Sequence, residues 1–371
     1  MAPVRRVVAV LVVSSLCVAV SAPAAPPRGT LSVSHRLDAS AGPYIEGSIA
    51  YLRAVRRGRV IVRRSSQALR WRVRRQLRAG LYRVSSFQRP CSGNCSTLDP
   101  PIDRCSRRVR VYGGERTSVR IVTRPGRGCR VAVRASAAFP PRRAVAAARR
   151  YVSGRAGSSF ALIDSHGLVR GLAPRRRYIS ASVSKAMLLV AYLRKIGNRM
   201  PNASERASLG PMITMSDNGR ADAIYAQVGD SGLQGLARRV GMRDFAVYGY
   251  WGSVFFSALD QARFFYRFDS LVPRRSRGYA RRLPSSIVEL QRWGFSRVAR
   301  RAGWRTYFKG GWRGTAAGSL VHEAALFERG GRRFSLAVLT DGAPSHEYGT
   351  ETLRGVARRL FGSRGPGAGE Q

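Results

Sequence analysis

The sequence predicts a domain of mixed α and β structure, in which an antiparallel sheet lies beside a helical lobe, preceded by a small all-β, sandwich-like domain. Three observations lead to this prediction. Residues 30–135 alternate apolar and polar side chains with a period of two, which is typical of half-buried strands. Residues 139–362 have strand-like runs near both ends, and helical patterns lie between those runs. Strands supplied from both ends predict one sheet with the helices packed against it.

Length and charge limit the possible functions. The 371 residues, of which 44% are hydrophobic, suffice for two domains with real cores. A net charge of +46 is typical of proteins that meet nucleic acid or an anionic surface, but the arginines are spread over nearly every segment instead of forming one patch. We therefore expect no specific nucleic-acid partner, a weak attraction to an anionic cell envelope, and a monomer.

The first residues have the pattern of a secretory signal peptide, which we place at 1–24. Arg5 and Arg6 precede a mostly apolar run, Val7 to Val20, and Ala22-Pro23-Ala24 has the small residues of a cleavage site. The apolar run is short for a membrane span. The sequence thus predicts a secreted or extracytoplasmic protein that is associated with the cell envelope.

The β-rich domain at 25–138 holds four cysteines, Cys91, Cys95, Cys105 and Cys129. An even count confined to one region of an exported chain predicts two disulfides, and the spacing leaves three connectivities open. A zinc site is the lesser alternative because the spacings are irregular. Nothing in this domain has a catalytic pattern, so a recognition or spacer module and simple structural support both remain open.

Pro140-Pro141 marks the linker to the second domain, at 139–362. The pattern predicts a helix followed by a strand hairpin, a helical middle, three strands, a closing helix and a disordered tail at 363–371. The predicted elements are a helix at Arg142–Val152, strands at Ser159–Ile163 and Leu168–Leu172, helical pieces within 203–240 and at Ser257–Phe268, strands at Thr306–Lys309, Ser319–Phe327 and Phe334–Leu339, and a helix at Thr350–Leu360.

Between the hairpin and the helical middle lies the stretch with the strongest chemical pattern. Ala186 to Leu193 is apolar all round, as in a helix buried on every side, and the serine-rich residues before it predict the start of that helix. Ser182 and Lys185 then lie three apart on one face, within hydrogen-bond reach. A desolvated lysine can lose its proton and activate a serine as a nucleophile. Lysine is also scarce, because of the 66 basic residues only Lys185, Lys195 and Lys309 are lysines.

Two further short motifs follow in order. Ser216-Asp217-Asn218 precedes a helical run, and Lys309-Gly310-Gly311 ends a strand. Alone, the first is more often a helix cap and the second a turn. Together and in this order after Ser182-x-x-Lys185, they indicate one shared site.

In these motifs the chain resembles the penicillin-recognising serine hydrolases, that is, the class A β-lactamases and the related D-alanyl-D-alanine peptidases, whose signature is S-x-x-K, S-D-N and K-T-G. The resemblance covers Arg142 to Gly362 and implies a class A β-lactamase-like fold. It implies that Ser182 is the nucleophile, Lys185 the base and Ser216 the proton relay to the leaving nitrogen. It further implies that Asn218 and Lys309 bind the substrate, and that the backbone N–H groups of Ser182 and Trp312, next to Gly311, form the oxyanion hole.

The chain departs from the family pattern at two places. Gly310 stands where the family has the threonine whose hydroxyl helps to hold the substrate carboxylate. The segment from Gly241 to Phe256, which would carry the E-x-x-L-N loop, has no glutamate, and its one acid is Asp244. That glutamate activates the water that clears the acyl-enzyme, so slow clearing is expected.

The resulting hypothesis is an exported serine hydrolase that forms a Ser182 acyl-enzyme with a β-lactam or a peptidoglycan-type peptide. The alternatives are a D-alanyl-D-alanine peptidase or esterase on the same fold, and a catalytically weak or inactive envelope-binding protein. No cofactor is expected, and no metal site, because the histidines are scattered without ligand spacing at positions 35, 166, 322 and 346.

Overall fold

A computed structural model describes residues 27–38, 47–91, 95–155 and 157–362. The signal peptide predicted at 1–24 and the tail predicted at 363–371 lie outside these residues. Within them, no helix has both the length and the apolar character needed to cross a membrane.

The first eight strands form a sandwich of two four-stranded sheets, with strand orders β4-β1-β7-β8 and β3-β2-β5-β6. All neighbouring strands are antiparallel except β1 and β7, which run parallel. The strands are β1 Arg28–Leu37, β2 Ser48–Arg56, β3 Arg59–Ser66, β4 Arg70–Arg78, β5 Gly80–Pro90, β6 Ile102–Val111, β7 Arg116–Arg124 and β8 Gly128–Ala135.

The core of this sandwich follows from the period of two in its strands. Alternate residues such as Val33 and Ile121 on one sheet, and Leu52 and Val84 on the other, are fully buried between the sheets, whereas the residues between them face outward. The cysteines pair as Cys91–Cys95 and Cys105–Cys129. The second disulfide joins β6 of one sheet to β8 of the other, so it ties the two layers together.

The rest of the chain builds a five-stranded antiparallel sheet of order β10-β9-β15-β14-β13 and a separate two-stranded pair, β11-β12. The strands are β9 Ser158–Ile163, β10 Val169–Leu172, β11 Arg177–Ile179, β12 Phe255–Ser257, β13 Arg305–Thr315, β14 Gly318–Arg329 and β15 Arg332–Ala343. The helices are α1 Arg142–Ser153, α2 Lys185–Lys195, α3 Ala203–Thr214, α4 Asn218–Val240, α5 Ala258–Leu271, α6 Arg277–Ser285, α7 Phe295–Arg301 and α8 His346–Phe361. The predicted sheet assembled from both ends of the segment is therefore confirmed.

Both faces of the five-stranded sheet are covered. Side chains of one parity, such as Leu336 and Val338 of β15, pack with α1, α7 and α8. Side chains of the other parity, such as Ala337 and Leu339, pack with α5 and the helical lobe around α2. Because helices lie on both faces, the central strands β14 and β15 are nearly continuously apolar. Helix α2, in the lobe, is itself buried on every side.

Several elements differ from those predicted. The strands β11 and β12 and the helices α6 and α7 were not predicted, because they are short and their apolar residues lack a clear period. The closing helix begins at His346 and not at Thr350, since the hydroxyl of Ser345 accepts a hydrogen bond from the Tyr348 N–H at 3.1 Å and so caps an earlier first turn.

The sandwich meets the α/β region at a buried carboxylate, Glu115. Its oxygens accept hydrogen bonds from Ser165 Oγ at 2.9 Å and His166 Nε2 at 2.8 Å, and Arg332 Nε lies 3.4 Å away. The ring of Tyr112 stacks on His166. A buried carboxylate is tolerated when such partners surround it, so Glu115 fixes how the two regions pack.

Candidate active site

Ser182 lies in a short 3-10 turn, Ala181–Ser184, that leads directly into α2. The turn is held from outside, because the Ser180 N–H donates to Val254 O at 2.7 Å and Ser180 Oγ donates to Trp251 O at 3.1 Å. The helix begins directly after the serine-rich stretch, as predicted, although α2 has no side-chain cap at its first residue, Lys185. Ser182 itself is partly exposed. We use the word cleft for the surroundings of Ser182, Lys185, Ser216 and Lys309.

Lys185 is fully buried one turn below Ser182. Its Nζ donates to Asn218 Oδ1 at 2.7 Å, to Ser216 Oγ at 3.3 Å and to the Ser216 carbonyl oxygen. The hydrogen bond expected between Lys185 and Ser182 is not among the contacts of the residues that the structure describes. Burial lowers the pKa of Lys185 to about 8, against the opposing charges of Asp217 and Asp222.

Lys309 enters the cleft from the edge strand β13 and is also fully buried. Its Nζ donates to Ser216 Oγ at 3.1 Å and to Gly310 O at 2.8 Å. Burial and the neighbouring charge of Lys185 lower the pKa of Lys309 to about 7, and Glu323 on the adjacent strand opposes this shift. The hydroxyl of Ser216 thus lies between the amines of Lys185 and Lys309, each of which can be neutral near pH 7 to 8.

The position of Ser216 follows from the turn between α3 and α4. Ser216 has a left-handed backbone with φ of 61°, a conformation that is uncommon for residues other than glycine. The next residue, Asp217, caps α4 by accepting the Arg220 N–H at 2.8 Å. The cap and the sharp turn together aim Ser216 and Asn218 at Lys185, although Asn218 is otherwise exposed.

Gly311 brings β13 against the turn that carries Ser182. A Cβ atom at Gly311 would lie 2.8 Å from Ser182 N and 2.9 Å from Val183 N, so only glycine permits this approach. The approach places the β13 backbone at Gly311 and Trp312 beside the Ser182 N–H.

Trp251 is a residue of this cleft that sequence reasoning missed. Its buried indole lies against the Lys185 ammonium, with Nζ 4.6 Å from the ring centroid. Its Nε1–H donates to Asp222 Oδ1 at 2.7 Å, which fixes the ring. Trp251 belongs to the segment from Gly241 to Phe256 that lacks a glutamate, so an apolar ring lies on Lys185 where that segment passes the cleft.

Asp244 and Tyr248 of this segment do not contact Lys185 in the part of the chain described. Asp244 accepts hydrogen bonds from Arg175 and from Ser257 Oγ, both at 2.8 Å, at the start of α5. Tyr248 is 74% exposed. Neither residue therefore takes the place of the missing glutamate in this structure.

Aromatic rings fill the space beside Gly310. A Cβ at Gly310 would lie 3.2 Å from the ring of Trp293, so the indole fills the space beside this residue. Trp293 packs edge to face with Trp312 and His346, and Trp312 is 41% exposed. These rings lie far apart in the sequence, and no local pattern links them.

Glu323 is a buried acid behind Lys309. It pairs across the sheet with Gly310, and its Oε2 accepts the Phe295 N–H at 2.7 Å. Burial raises its pKa to about 8, so the carboxyl is mostly neutral at pH 7. Among the described residues no cluster of histidine, cysteine or acidic side chains could hold a metal ion.

Comparison with known proteins gives matches among solved structures alone. No protein-family model matches the chain, and no curated protein sequence matches it. A β-lactamase from Sphaerobacter thermophilus DSM 20745 aligns with 58% of this chain and 95% of its own, at 17% identity and a TM-score of 0.50. A β-lactamase from Chitinophaga pinensis DSM 2588 aligns with 58% of this chain and 96% of its own, at 12% identity and a TM-score of 0.50. At such identities the likeness shows the fold, which is class A β-lactamase-like as predicted.

Proposed function

We propose that this chain is an exported serine hydrolase in which Ser182 forms an acyl-enzyme with β-lactams or with related peptide-like amides. The observation that carries the proposal is the position of Ser216 Oγ, which accepts hydrogen bonds from both Lys185 and Lys309. Residues of three motifs that are far apart in the sequence thereby meet next to Ser182. The likeness to solved β-lactamases supports the same proposal.

Acylation uses the hydroxyls of Ser182 and Ser216 and the desolvated amine of Lys185. Ser182 Oγ attacks the carbonyl carbon and gives its proton to the neutral amine of Lys185, whose pKa of about 8 leaves such an amine available. As the carbon–nitrogen bond breaks, Ser216 Oγ protonates the leaving nitrogen and regains a proton from Lys185 along their 3.3 Å hydrogen bond. The proton of Ser182 is thus delivered to the leaving group, and no other co-reactant is needed.

Substrate binding is assigned to the opposite wall of the cleft. We assign the oxyanion hole to the N–H groups of Ser182 and Trp312, which the absence of a side chain at Gly311 brings together. Lys309 faces the substrate carboxylate, and Asn218 the substrate amide. Since the space beside Gly310 is filled by Trp293, the carboxylate is held without a hydroxyl from this position, and the exposed ring of Trp312 contacts the apolar part of the substrate.

Deacylation is the slow step in this proposal. An ester is cleared by a water that a general base activates, and loss of such a base costs roughly 100- to 10,000-fold in the step it serves. The segment from Gly241 to Phe256 offers no glutamate, and the Trp251 ring covers Lys185 on that side. This favours a penicillin-binding or D-alanyl-D-alanine peptidase-like enzyme over an efficient β-lactamase.

The first experiment is covalent labelling with a fluorescent penicillin. We expect the wild type to be labelled and Ser182→Ala to remain unlabelled. The matched control is Ser184→Ala, two residues further along, whose hydroxyl donates to Ala181 O and does not face the cleft lysines. Equal labelling of wild type and Ser182→Ala would refute the assignment of Ser182.

The second experiment separates acylation from deacylation with a chromogenic cephalosporin. We expect a burst of about one product per active site, a slow steady state, and an acyl adduct that persists in the mass spectrum. Fast turnover without a burst would favour a true β-lactamase in which another residue positions the water. Neither burst nor adduct, with any β-lactam or D-Ala-D-Ala peptide and with folded protein, would favour the non-catalytic envelope-binding alternative.

A further inference from the structure

The outer face of the sheet β4-β1-β7-β8 carries arginines on both sides of a row of serines. Ser34 of β1 pairs with Arg72 of β4 on one side and with Arg120 of β7 on the other. In the adjacent row the same pattern recurs, with the arginines at the two ends and the serines between them: Arg74, Ser32, Ser118 and Arg134. The arginines are exposed and the serines half-buried, so the serines form the floor of a groove and the arginines its walls.

The groove is continuous along the sheet. Two clefts of about 390 and 480 Å³ share Ser34, Arg72 and Arg120 as lining residues, so they form one trough. Strands lie about 4.8 Å apart, which puts Arg72 and Arg120 about 10 Å apart in one row and Arg74 and Arg134 about 14 Å apart in the next, and successive rows follow each other by about 7 Å. Such dimensions suit an extended chain with repeated charges better than a single small ion.

The charges of the groove are available to a ligand. Among the described residues no ion pair joins Arg72, Arg74, Arg120 or Arg134 to an acid, and the nearest ion pairs, of Asp38 with Arg36 and Arg124, lie at one end of the sheet. Guanidinium groups bind phosphate oxygens in a bidentate manner, and serine hydroxyls can donate hydrogen bonds to other oxygens of the same ligand. The groove therefore offers several donors to a polyanion, and its lining residues include no acidic side chain.

We propose that this groove, defined by Ser32, Ser34, Arg72, Arg74, Ser118, Arg120 and Arg134, binds a linear phosphodiester polymer of the cell envelope. Single-stranded nucleic acid is less suited, because its binding depends on exposed aromatic rings, and the nearest ring, Trp71, is buried and stacked on His35. A membrane surface is less suited, since the lining residues include no exposed large apolar side chain that could enter a bilayer. The polymer would hold the sandwich, and with it the candidate active site, at the envelope.

The test measures binding of the full chain to poly(glycerol phosphate) of defined length over a range of salt concentrations. The variant Arg72→Ser/Arg120→Ser removes one arginine from each wall. The matched control is Arg83→Ser/Arg108→Ser, which removes two exposed arginines that pair across the outer face of the other sheet, for the same change in charge. Losing two phosphate contacts lowers the slope of log affinity against log salt by about 1.4, which is about a 25-fold loss at 0.1 M salt. We expect this loss in the groove variant, and at most about a threefold loss in the control.

Four results would overturn the proposal. Equal losses in both double variants would show attraction to overall charge. Equally tight binding of poly-glutamate would show that phosphodiester polymers are not preferred, and equally tight binding of oligo-thymidine would show that the groove does not favour an envelope polymer over single-stranded nucleic acid. Binding of anionic lipid vesicles with the same dependence on Arg72 and Arg120 would assign the groove to a membrane surface. A thermal unfolding scan checks that each variant is folded, and should either double variant fail this check, Arg120→Gln is compared with Arg108→Gln in the same assay.

Discussion

Lys185→Arg is the substitution that most directly examines the proposed base. It keeps a positive charge in the cleft but removes the only form that can accept the Ser182 proton, because an arginine side chain does not deprotonate in proteins. In the structure Lys185 Nζ has four close neighbours: the Ser216 carbonyl oxygen, Asn218 Oδ1 at 2.7 Å, Ser216 Oγ at 3.3 Å and the Trp251 ring at 4.6 Å. The cation site is therefore kept while the base is lost.

The expected magnitude follows from the loss of one general base. Such a loss costs about 100- to 10,000-fold, or about 2.7 to 5.4 kcal/mol in the acylation barrier. The measurement is the second-order rate constant of labelling by a fluorescent penicillin in a stopped-flow instrument at pH 8. Lys195→Arg is the matched control, since Lys195 is an exposed lysine at the end of the same helix, and we expect its rate to stay within about twofold of the wild type.

The reasoning would be refuted by Lys185→Arg acylating within about threefold of the wild type while Lys195→Arg does the same. A thermal unfolding scan of both variants separates a loss of the base from a loss of the fold. If Lys185→Arg is folded and slow, whereas Lys195→Arg is folded and fast, the base assignment holds.

Three further predictions can be checked independently. Burial lowers the pKa of Lys185 to about 8, so the neutral base becomes about tenfold scarcer per pH unit below pH 8. Acylation by a β-lactam with an esterified carboxyl group should therefore slow about tenfold from pH 7 to pH 6 and level off above about pH 9. A flat profile would exclude Lys185 as the base. Non-reducing peptide mapping of the protein, isolated without reductant, should find both cysteine pairs of the sandwich linked and no free thiol, whereas four alkylatable cysteines would indicate a metal site or a reducing compartment. Glu115→Ala should lower the free energy of unfolding, measured by urea denaturation, by about 3 kcal/mol, because it leaves buried partners without their carboxylate. The control Glu347→Ala, which removes an exposed ion pair with Arg354, should change this free energy by less than about 1 kcal/mol. Equal effects would show that Glu115 does not stabilise the junction.

The fold could be predicted to a large extent because its signals are local. The period of two in the sandwich and the apolar run after Ser182 depend on residues a few positions apart, and the structure confirms the antiparallel sheet and the buried helix α2 that they predict. Elements without a local period, such as α7 at Phe295–Arg301, could not be found in this way. The walls of the cleft, Trp251 and Trp293, were missed for the same reason, since each lies close to its motif in space but far from it in sequence.

By itself the sequence determined the order of the three motifs and the residue types that they bring, including the absence of a glutamate between Gly241 and Phe256. Only the tertiary structure decided which of these groups touch. Spacing predicted that Lys185 would bond to Ser182, whereas folding turns its amine toward Ser216 and Asn218 and closes Trp251 over it. The physical reason is burial: a lysine becomes a base when packing from distant segments removes water from its amine, and no spacing along the chain records that packing.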